Sequence, residues 1–402
     1  MDTWTTRWTP KTQWTQPLPD WDGPGTLVLV FGDSSLLSDD APLRALVAAF
    51  PRSTTVGCST SGQILDTRVH DGALTVTVVR FERTRIALES APVTVAASAE
   101  VGRSLGARLR ARAADFAETD DGGLAAVFVL SDGLSVNGSA LAAGLADGTG
   151  GSAVITGGLA GDDSRFERTW VVVDGRPRES HVTAVGLYGS ALDVGYASRG
   201  GWTSLGPERV VTRSEGNVLY ELDDQPALAL YKTYLGERAT GLPATALLFP
   251  LLVRIPRAAR AGGPAPGGDG ASADDSELVR TVLAVDEARQ SMTFAGDVPE
   301  GSSAQLMRGT AERLVDAAEA AASSARLPGD GPGVAIAVSC VGRRLYLGQR
   351  VEDELEAVCA GLGPHTPLVG FYSYGELSPV VAGGCDLHNQ TMTITVLRER
   401  PR

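Results

Sequence analysis

The chain has 402 residues, 43% of them apolar and 21% charged, which suits two or three domains around a substantial core. Its 35 Lys and Arg against 48 Asp and Glu leave a net charge of -13, and this argues against tight binding to nucleic acids or anionic membranes, which need a basic face. Four scattered cysteines, Cys58, Cys340, Cys359 and Cys385, show no CxxC pair and no metal-ligand spacing, so a reducing compartment is expected. No apolar run approaches the roughly 20 residues of a membrane helix. No basic and then apolar leader opens the chain, and a cytoplasmic location is expected.

Residues 1–25 set Trp4, Trp8, Trp14 and Trp21 among Thr, Gln and Pro, without a helical or alternating period. They read as an arm: draped over the core, offered to a partner, or partly ordered as termini often are. An internal repeat follows. The first unit has an apolar strand at Thr26 to Phe31, a helix at Leu43 to Phe50 and a short strand at Ser53 to Val56. A loop, Gly57-Cys58-Ser59-Thr60-Ser61-Gly62-Gln63, leads to an alternating strand at Ala73 to Phe81. The second unit has strands at Ala125 to Leu130 and Ala153 to Thr156 around a helix near Ser139 to Ala146. Its loop is Gly157-Gly158-Leu159-Ala160-Gly161-Asp162 and its last strand is His181 to Tyr188.

Between the second and third units the pattern changes. Asn217 to Leu235 reads as a strand or turn and then an amphipathic helix, with Asp223 or Asp224 as N-cap and Pro226 in the first turn. Residues 257–276, rich in Gly, Ala, Pro and Asp, read as a disordered insertion, because such a segment buries too little apolar surface to offset its ordering entropy. Val279 to Glu287 and Ser291 to Gly296 read as strands, and Gln305 to Ala325 as one long helix. After a breaker at Leu327 to Gly333, the third unit places strands at Val334 to Ser339 and Pro367 to Val369 around a helix at Glu352 to Gly361. Its loop is Gly370-Phe371-Tyr372-Ser373-Tyr374-Gly375-Glu376 and its last strand is Met392 to Arg398.

The expected fold is therefore α/β, with repeated strand-helix-strand-loop-strand units forming mixed sheets and helices packed outside. The last strands of units one and three align without gaps. His70-Asp-Gly-Ala-Leu-Thr-Val-Thr-Val-Val79 stands against His388-Asn-Gln-Thr-Met-Thr-Ile-Thr-Val-Leu397, and His181 heads the corresponding strand of unit two.

Gly370-Phe-Tyr-Ser-Tyr-Gly-Glu-Leu-Ser-Pro379 followed by Leu387-His-Asn-Gln-Thr-Met-Thr393 resembles the C-terminal domain of FIST proteins. Tyr220-Glu-Leu-Asp-Asp224, Pro226-Ala227 with Tyr231, and Phe294-Ala-Gly-Asp-Val-Pro-Glu-Gly301 resemble earlier parts of that domain. Val56-Gly-Cys-Ser-Thr-Ser-Gly62, with Gly157-Gly158 and Gly161-Asp162, is similar to the N-terminal FIST domain. The resemblance divides the chain into an arm (1–25), an N-type domain (26–210) holding two units, and a C-type domain (211–402) holding the third. It implies a sensory module for a small ligand, with amino acids the usual proposal. It also implies partnership with histidine kinases or cyclic-dinucleotide enzymes, and haem-based nitric oxide sensing in some members. This chain carries no kinase, cyclase or F-box segment, so its output is expected to pass through a separate partner.

The loops supply the chemistry for a zwitterion. Gly57, Gly62, Gly157, Gly158, Gly161, Gly370 and Gly375 free the backbone for close approach, and exposed amides there hold a carboxylate. Cys58, Ser59, Thr60 and Ser61 add polar hydrogens, Tyr372, Ser373 and Tyr374 add walls with polar tips, and Asp162 or Glu376 takes an ammonium group. The alternative for each loop is that its glycines only permit tight turns. His70, His181 and His388 are candidate haem ligands or strand caps, and His365 sits in a solvated turn. Cys58, at a strand-to-loop junction, raises a third possibility of a hydrolase or transferase, which needs an activating base or helix terminus.

Overall fold

The computed structural model describes residues 1–116, 123–242, 244–256, 276–329, 331–380 and 383–400. Two strands come from the arm, β1 (Asp2–Thr9) and β2 (Gln13–Trp14). The first unit is β3 (Thr26–Gly32), α1 (Ala41–Ala49), β4 (Thr54–Ser59), the hairpin β5 (Gln63–Leu65) and β6 (Arg68–His70), and β7 (Leu74–Arg80). β8 (Arg85–Pro92) and α2 (Ser98–Arg112) lead to the second unit. This is β9 (Leu124–Ser131), α3 (Gly138–Thr149), β10 (Val154–Leu159), the hairpin β11 (Val171–Val173) and β12 (Arg176–Arg178), and β13 (His181–Tyr188). β14 (Leu192–Arg199) follows.

A different region then intervenes. It holds β15 (Thr203–Ser204), β16 (Arg209–Glu215), β17 (Val218–Leu222), β18 (Gln225–Pro226) and α4 (Ala227–Leu235). It continues with β19 (Leu251–Ile255), β20 (Ser276–Arg280), β21 (Val282–Asp286), β22 (Ser291–Phe294) and β23 (Ser303–Arg308). α5 (Ala311–Ala325) returns to the third unit, β24 (Val334–Cys340), α6 (Val341–Leu347), α7 (Val351–Leu362), β25 (Leu368–Ser373), the hairpin β26 (Gly375–Ser378) and β27 (Asp386–His388), and β28 (Met392–Glu399).

Three sheets share one plan. Their orders are β12-β11-β4-β3-β7-β1-β2, β27-β26-β10-β9-β13-β8 and β6-β5-β25-β24-β28-β14. In each, a unit's first strand lies between its parallel second strand and its antiparallel last strand. The hairpin after the second strand leaves for another unit's sheet. β5–β6 pairs with β25, β11–β12 with β4, and β26–β27 with β10. The next strand also moves on: β8 pairs with β13, and β14 with β28. The edge beside β7 is filled by β1 from the arm.

The inner sheet faces meet in one core, where Phe31 and Phe371 stand 4.8 Å apart between centroids. Outside, α2 with α3 covers sheet two, and α5 with α7 covers sheet three. Sheet one is covered by α1 and the indoles of Trp4, Trp8, Trp14 and Trp21. Trp4, buried Thr6 and Trp8 alternate along β1, so this segment does carry a strand period. The fourth sheet, β20-β19-β23-β16-β17-β22-β21 with β15 on β23 and β18 on β17, has its own core around Leu219, Tyr231 and Phe294.

Several boundaries differ from the sequence expectation. The second strands run through their glycines, so Gly57 to Ser59, Gly157 to Leu159 and Gly370 to Ser373 are strand rather than loop. Gln305 to Ala325 is not one helix: Leu306 and Met307 are buried in β23, and Thr310 caps α5 through the Arg313 amide. Asp223 and Asp224, at φ 49° and 60°, form a tight turn and leave Pro226 at the N-cap of α4. Val279 to Glu287 is interrupted at Thr281. The expected insertion at 257–276 lies outside the described residues except for Ser276, which opens β20. Among the described residues no helix is long and apolar enough to cross a membrane.

Candidate functional site

The first glycine of each expected loop sits at one position of the repeat, opposite Val30, Val129 or Ala337 in the neighbouring strand. A Cβ on Gly57, Gly157 or Gly370 would lie 2.1, 1.9 or 1.9 Å from the facing carbonyl oxygen. Gly157 and Gly370 also have φ of +142° and +152°, where side chains are strained. These three glycines let two parallel strands approach closely.

Beyond them the three segments come together. The Ser61 amide donates to Tyr372 O at 2.8 Å, and the Tyr372 amide returns to Gly62 O at 2.9 Å. The Gly161 amide donates to Ser59 O at 3.0 Å and the Tyr374 amide to Leu159 O at 3.2 Å. Ser61 Oγ accepts from the Asp163 amide at 3.0 Å, Ser59 Oγ from the Trp170 amide at 3.0 Å, and Thr60 Oγ1 from Gln63 Nε2 at 2.6 Å. Gly158 pairs with Glu376 and Leu159 with Gly375. The loops therefore share one junction, and apart from the Thr60–Gln63 bond these amides and hydroxyls bond across the units.

Both candidate ammonium partners are buried. Asp162 accepts from the amides of Phe166, Glu167 and Arg168 at 2.9, 3.0 and 2.9 Å and from the Tyr374 hydroxyl. Phe166 stacks on Tyr374 at 4.5 Å. Glu376 accepts from the Ser373 hydroxyl at 2.7 Å and from the Thr391 hydroxyl and amide at 2.8 and 3.1 Å. Burial outweighs these bonds and pushes its carboxyl up to about 8.

Sequence reasoning passed over a buried ion pair. Arg343 Nη2 lies 2.8 Å from Glu354, which also accepts from the Tyr372 hydroxyl at 2.7 Å. At the rim, Arg344 donates to Ser61 O and to Asp71 at 2.7 Å, with the Tyr372 ring 5.9 Å from its guanidinium. Arg165 donates to Asp162 O at 2.8 Å and to Ser34 Oγ at 3.0 Å. The available signal was position: Arg343 and Arg344 follow β24 at its carboxyl end, where open α/β sheets gather functional groups.

Cys58 does not face this junction. Its side chain lies in the common apolar core, and burial pushes the thiol well above its ordinary range. A nucleophile needs the opposite shift, so the expectation that Cys58 contacts a ligand is corrected and the alternative of Cys58 catalysis loses its support. The histidines hold separate places. His70 Nδ1 accepts from Arg7 at 2.6 Å, His181 Nδ1 donates to Glu179 O at 2.7 Å, and His388 Nε2 donates to Ser378 O at 3.1 Å. A haem iron needs a bare ring nitrogen over a slot that admits the macrocycle. The cleft of about 400 Å³ near Arg326, His365 and Arg398 includes none of the three, and neither does that of about 280 Å³ near Arg209, Tyr231 and Tyr234. Neither of these clefts sets one of the three rings over such a slot. Among the described residues no three His, Cys, Asp or Glu side chains are grouped to hold a metal ion.

These features describe a mixed α/β protein of three interlocked units whose loops close on a shared polar junction, a build suited to binding. The FIST N domain profile matches residues 26–225 and the FIST C domain profile matches residues 227–379. The chain belongs to the FIST family, whose domains are sensory, small-ligand-binding modules of signalling proteins. No curated protein matches it.

Proposed function

We propose that this chain is a cytoplasmic sensor for a small zwitterion, an amino acid or a close analogue, bound where the Gly57–Gln63, Gly157–Asp162 and Gly370–Glu376 segments meet. A separate partner, such as a histidine kinase or a cyclic-dinucleotide enzyme, would read the bound state. The observation that supports this reading is the bonding across units between Ser61, Tyr372, Gly161 and Tyr374. A guest that competes for those amides alters the packing of three sheets at once, and a ligand shifts an equilibrium by its differential affinity for two states. Thermal denaturation of the purified chain against each amino acid tests it. At a hundred times its dissociation constant, a true ligand adds about 2.7 kcal/mol of stability. Unmoved melting curves across the whole panel would defeat the amino-acid reading.

A further inference from the structure

The fourth sheet lies between β14 and α5 in the chain. It is entered through Gly200 to Trp202 and left through Gly309 and Thr310, and the two crossings run side by side, with Thr203 paired to Arg308. The Trp202 ring lies about 3.1 Å from where a Gly309 Cβ would be. Each crossing gives one backbone carbonyl to α6. Arg343 donates to Gly200 O, and the Tyr346 hydroxyl donates to Gly309 O. These two residues are three apart and so share one side of the helix. Tyr346 also meets the Trp202 ring edge-on at 5.6 Å, and Leu347 packs with Trp202, Leu252 and Met307.

The same helix reaches the junction of the three loops. Arg344 donates to Ser61 O in the first loop and to Asp71 at 2.7 Å. Glu354, 2.8 Å from Arg343, accepts from the Tyr372 hydroxyl of the third loop at 2.7 Å. A second connection runs beside α6. Thr391 donates its amide and hydroxyl to Glu376. Next to it, Gln390 O accepts from Trp202 Nε1 at 2.8 Å, and Gln390 Nε2 donates to Leu247 O at 2.8 Å, in the Ala244–Leu248 turn beside the fourth sheet. Gln390 also presses on α6, because a Cβ on Gly342 would lie 2.3 Å from its Nε2. Its own backbone sits in the left-handed region at φ 63°, and its Oε1 is buried without a hydrogen-bond partner among the described residues. Backbone held this way gathers at switch regions.

Two buried polar routes thus leave the third loop, from Tyr372 and from Glu376, and both end on the Gly200 to Trp202 crossing. α6 spans seven residues, Val341–Leu347. A helix so short moves as one piece, so Arg344 cannot shift without carrying Arg343 and Tyr346, and close-packed surroundings pass the displacement on. On its other side the fourth sheet is pinned to sheet two: Arg280 donates to Leu387 O at 2.7 Å, and Asn137 Nδ2 donates to Asp297 at 2.8 Å. A displaced α6 therefore tilts the sheet about these contacts and does not release it.

We propose that α6 is a relay: a guest at the junction draws Arg344 from Ser61 O, the helix shifts, and both crossings move with it, so that the fourth sheet is the output element of the sensor. Helix displacements of about 1–2 Å are enough for transitions of this kind. The proposal rests on the sensing reading above and adds the route by which the bound state reaches a partner.

The test uses the full chain labelled with 5-fluorotryptophan. Its six tryptophans give six fluorine resonances, and Trp202→Phe identifies the line of Trp202. In the ligand-free chain, Asp71→Asn loosens the hold on Arg344 and Tyr372→Phe removes a bond to Glu354. Neither side chain belongs to the crossings, yet each variant should move the Trp202 line. Tyr188→Phe removes a buried hydroxyl of the same kind, bonded to Leu109 O at 2.8 Å and remote from α6, and should leave that line in place. An amino acid that raises the melting temperature should also shift the Trp202 line. Tyr346→Phe keeps the ring and frees Gly309 O, so it should lose much of that shift while the rise in melting temperature persists. If the line ignores both Asp71→Asn and Tyr372→Phe, or moves equally in Tyr188→Phe, α6 is no relay. An amino acid that stabilises the chain without moving the line leaves the sensing reading standing and sinks the relay. If no amino acid binds, the sensing reading fails, and the ligand-free variants alone decide whether α6 couples the junction to the crossings.

Discussion

Glu376 ties stability to pH with a sign opposite to that of most carboxylates. Desolvation raises its carboxyl from an ordinary 4.5 to about 8, against the hydrogen bonds of Ser373 and Thr391 and the more distant charge of Arg343; Cys340 is also close, and His388 stands opposite on β27. Between those values the folded chain keeps a proton that the unfolded chain has released. The contribution is therefore full below about pH 4.5 and is lost as pH rises toward about 8. Glu399 runs the other way. Burial opposes its ionisation, but the amides of Glu82, Arg83 and Thr84 and the Thr84 hydroxyl outweigh that and hold it low, so its contribution is lost on acidification. A tenfold change in proton affinity on folding is worth about 1.4 kcal/mol, so Glu376 should contribute a change of a few kcal/mol. Urea denaturation from pH 5 to pH 9 should show the wild type losing stability relative to Glu376→Gln by that order, and a constant difference between the two would contradict it. Glu376 was legible as a candidate because it closes a Gly-bounded motif. Arg280, Arg343 and Glu354 were not, since their partners lie on elements distant in sequence and no local spacing marks them.

Among the elements, α2 and α3 approach one another through glycines spaced four apart on each helix, a spacing that puts them on one side. A Cβ at Gly144 would meet Ala99 O at 2.1 Å and one at Gly148 would meet Arg103 O at 2.2 Å; Gly102 and Gly106 face Leu141 O and Leu145 O at 2.4 and 2.7 Å. Alanine in a helix is favoured over glycine by about 1 kcal/mol. Here the contact is rigid backbone, so overpacking of about 1–3 kcal/mol should win. Gly144→Ala and Gly148→Ala are each expected to lower the free energy of unfolding in a denaturant titration, and a gain in either would show that the helices separate freely. α3 was readable near Ser139 to Ala146 from the apolar spacing within its segment, whereas α2 was not among the expected elements. The contact between them was not, because a glycine gives the same signal whether it faces a carbonyl or water. β1 was missed for a related reason: its alternation sits on Trp and Thr, so the pattern is one of size and burial and not of simple hydropathy. Gln305 to Ala325 was overextended because Gly309 and Thr310 mark a boundary that the Ala-rich composition obscured.

For the whole molecule, the repeat was legible because each unit's strand, helix and strand are contiguous, while the exchange of hairpins was not, because pairing across units is a property of the assembled fold. That exchange bears on where the chain divides. A cut after residue 210 follows the sequence motifs, yet it would strip β26 from the edge of β10, leave β5–β6 without β25, and remove Phe371 from beside Phe31. β14 would lose β28, its only partner in sheet three among the described residues. Exposed strand edges and a halved core favour association over folding. The three sheets should accordingly unfold together in the full chain. The fragment 1–210 should lack the near-ultraviolet signal of fixed Trp4, Trp8, Trp14, Trp21 and Trp170, and should elute as aggregates or an expanded species. A monodisperse fragment with a sharp melting transition of its own would show that two units suffice for a core. It would also show that the third unit docks on them as a separate body.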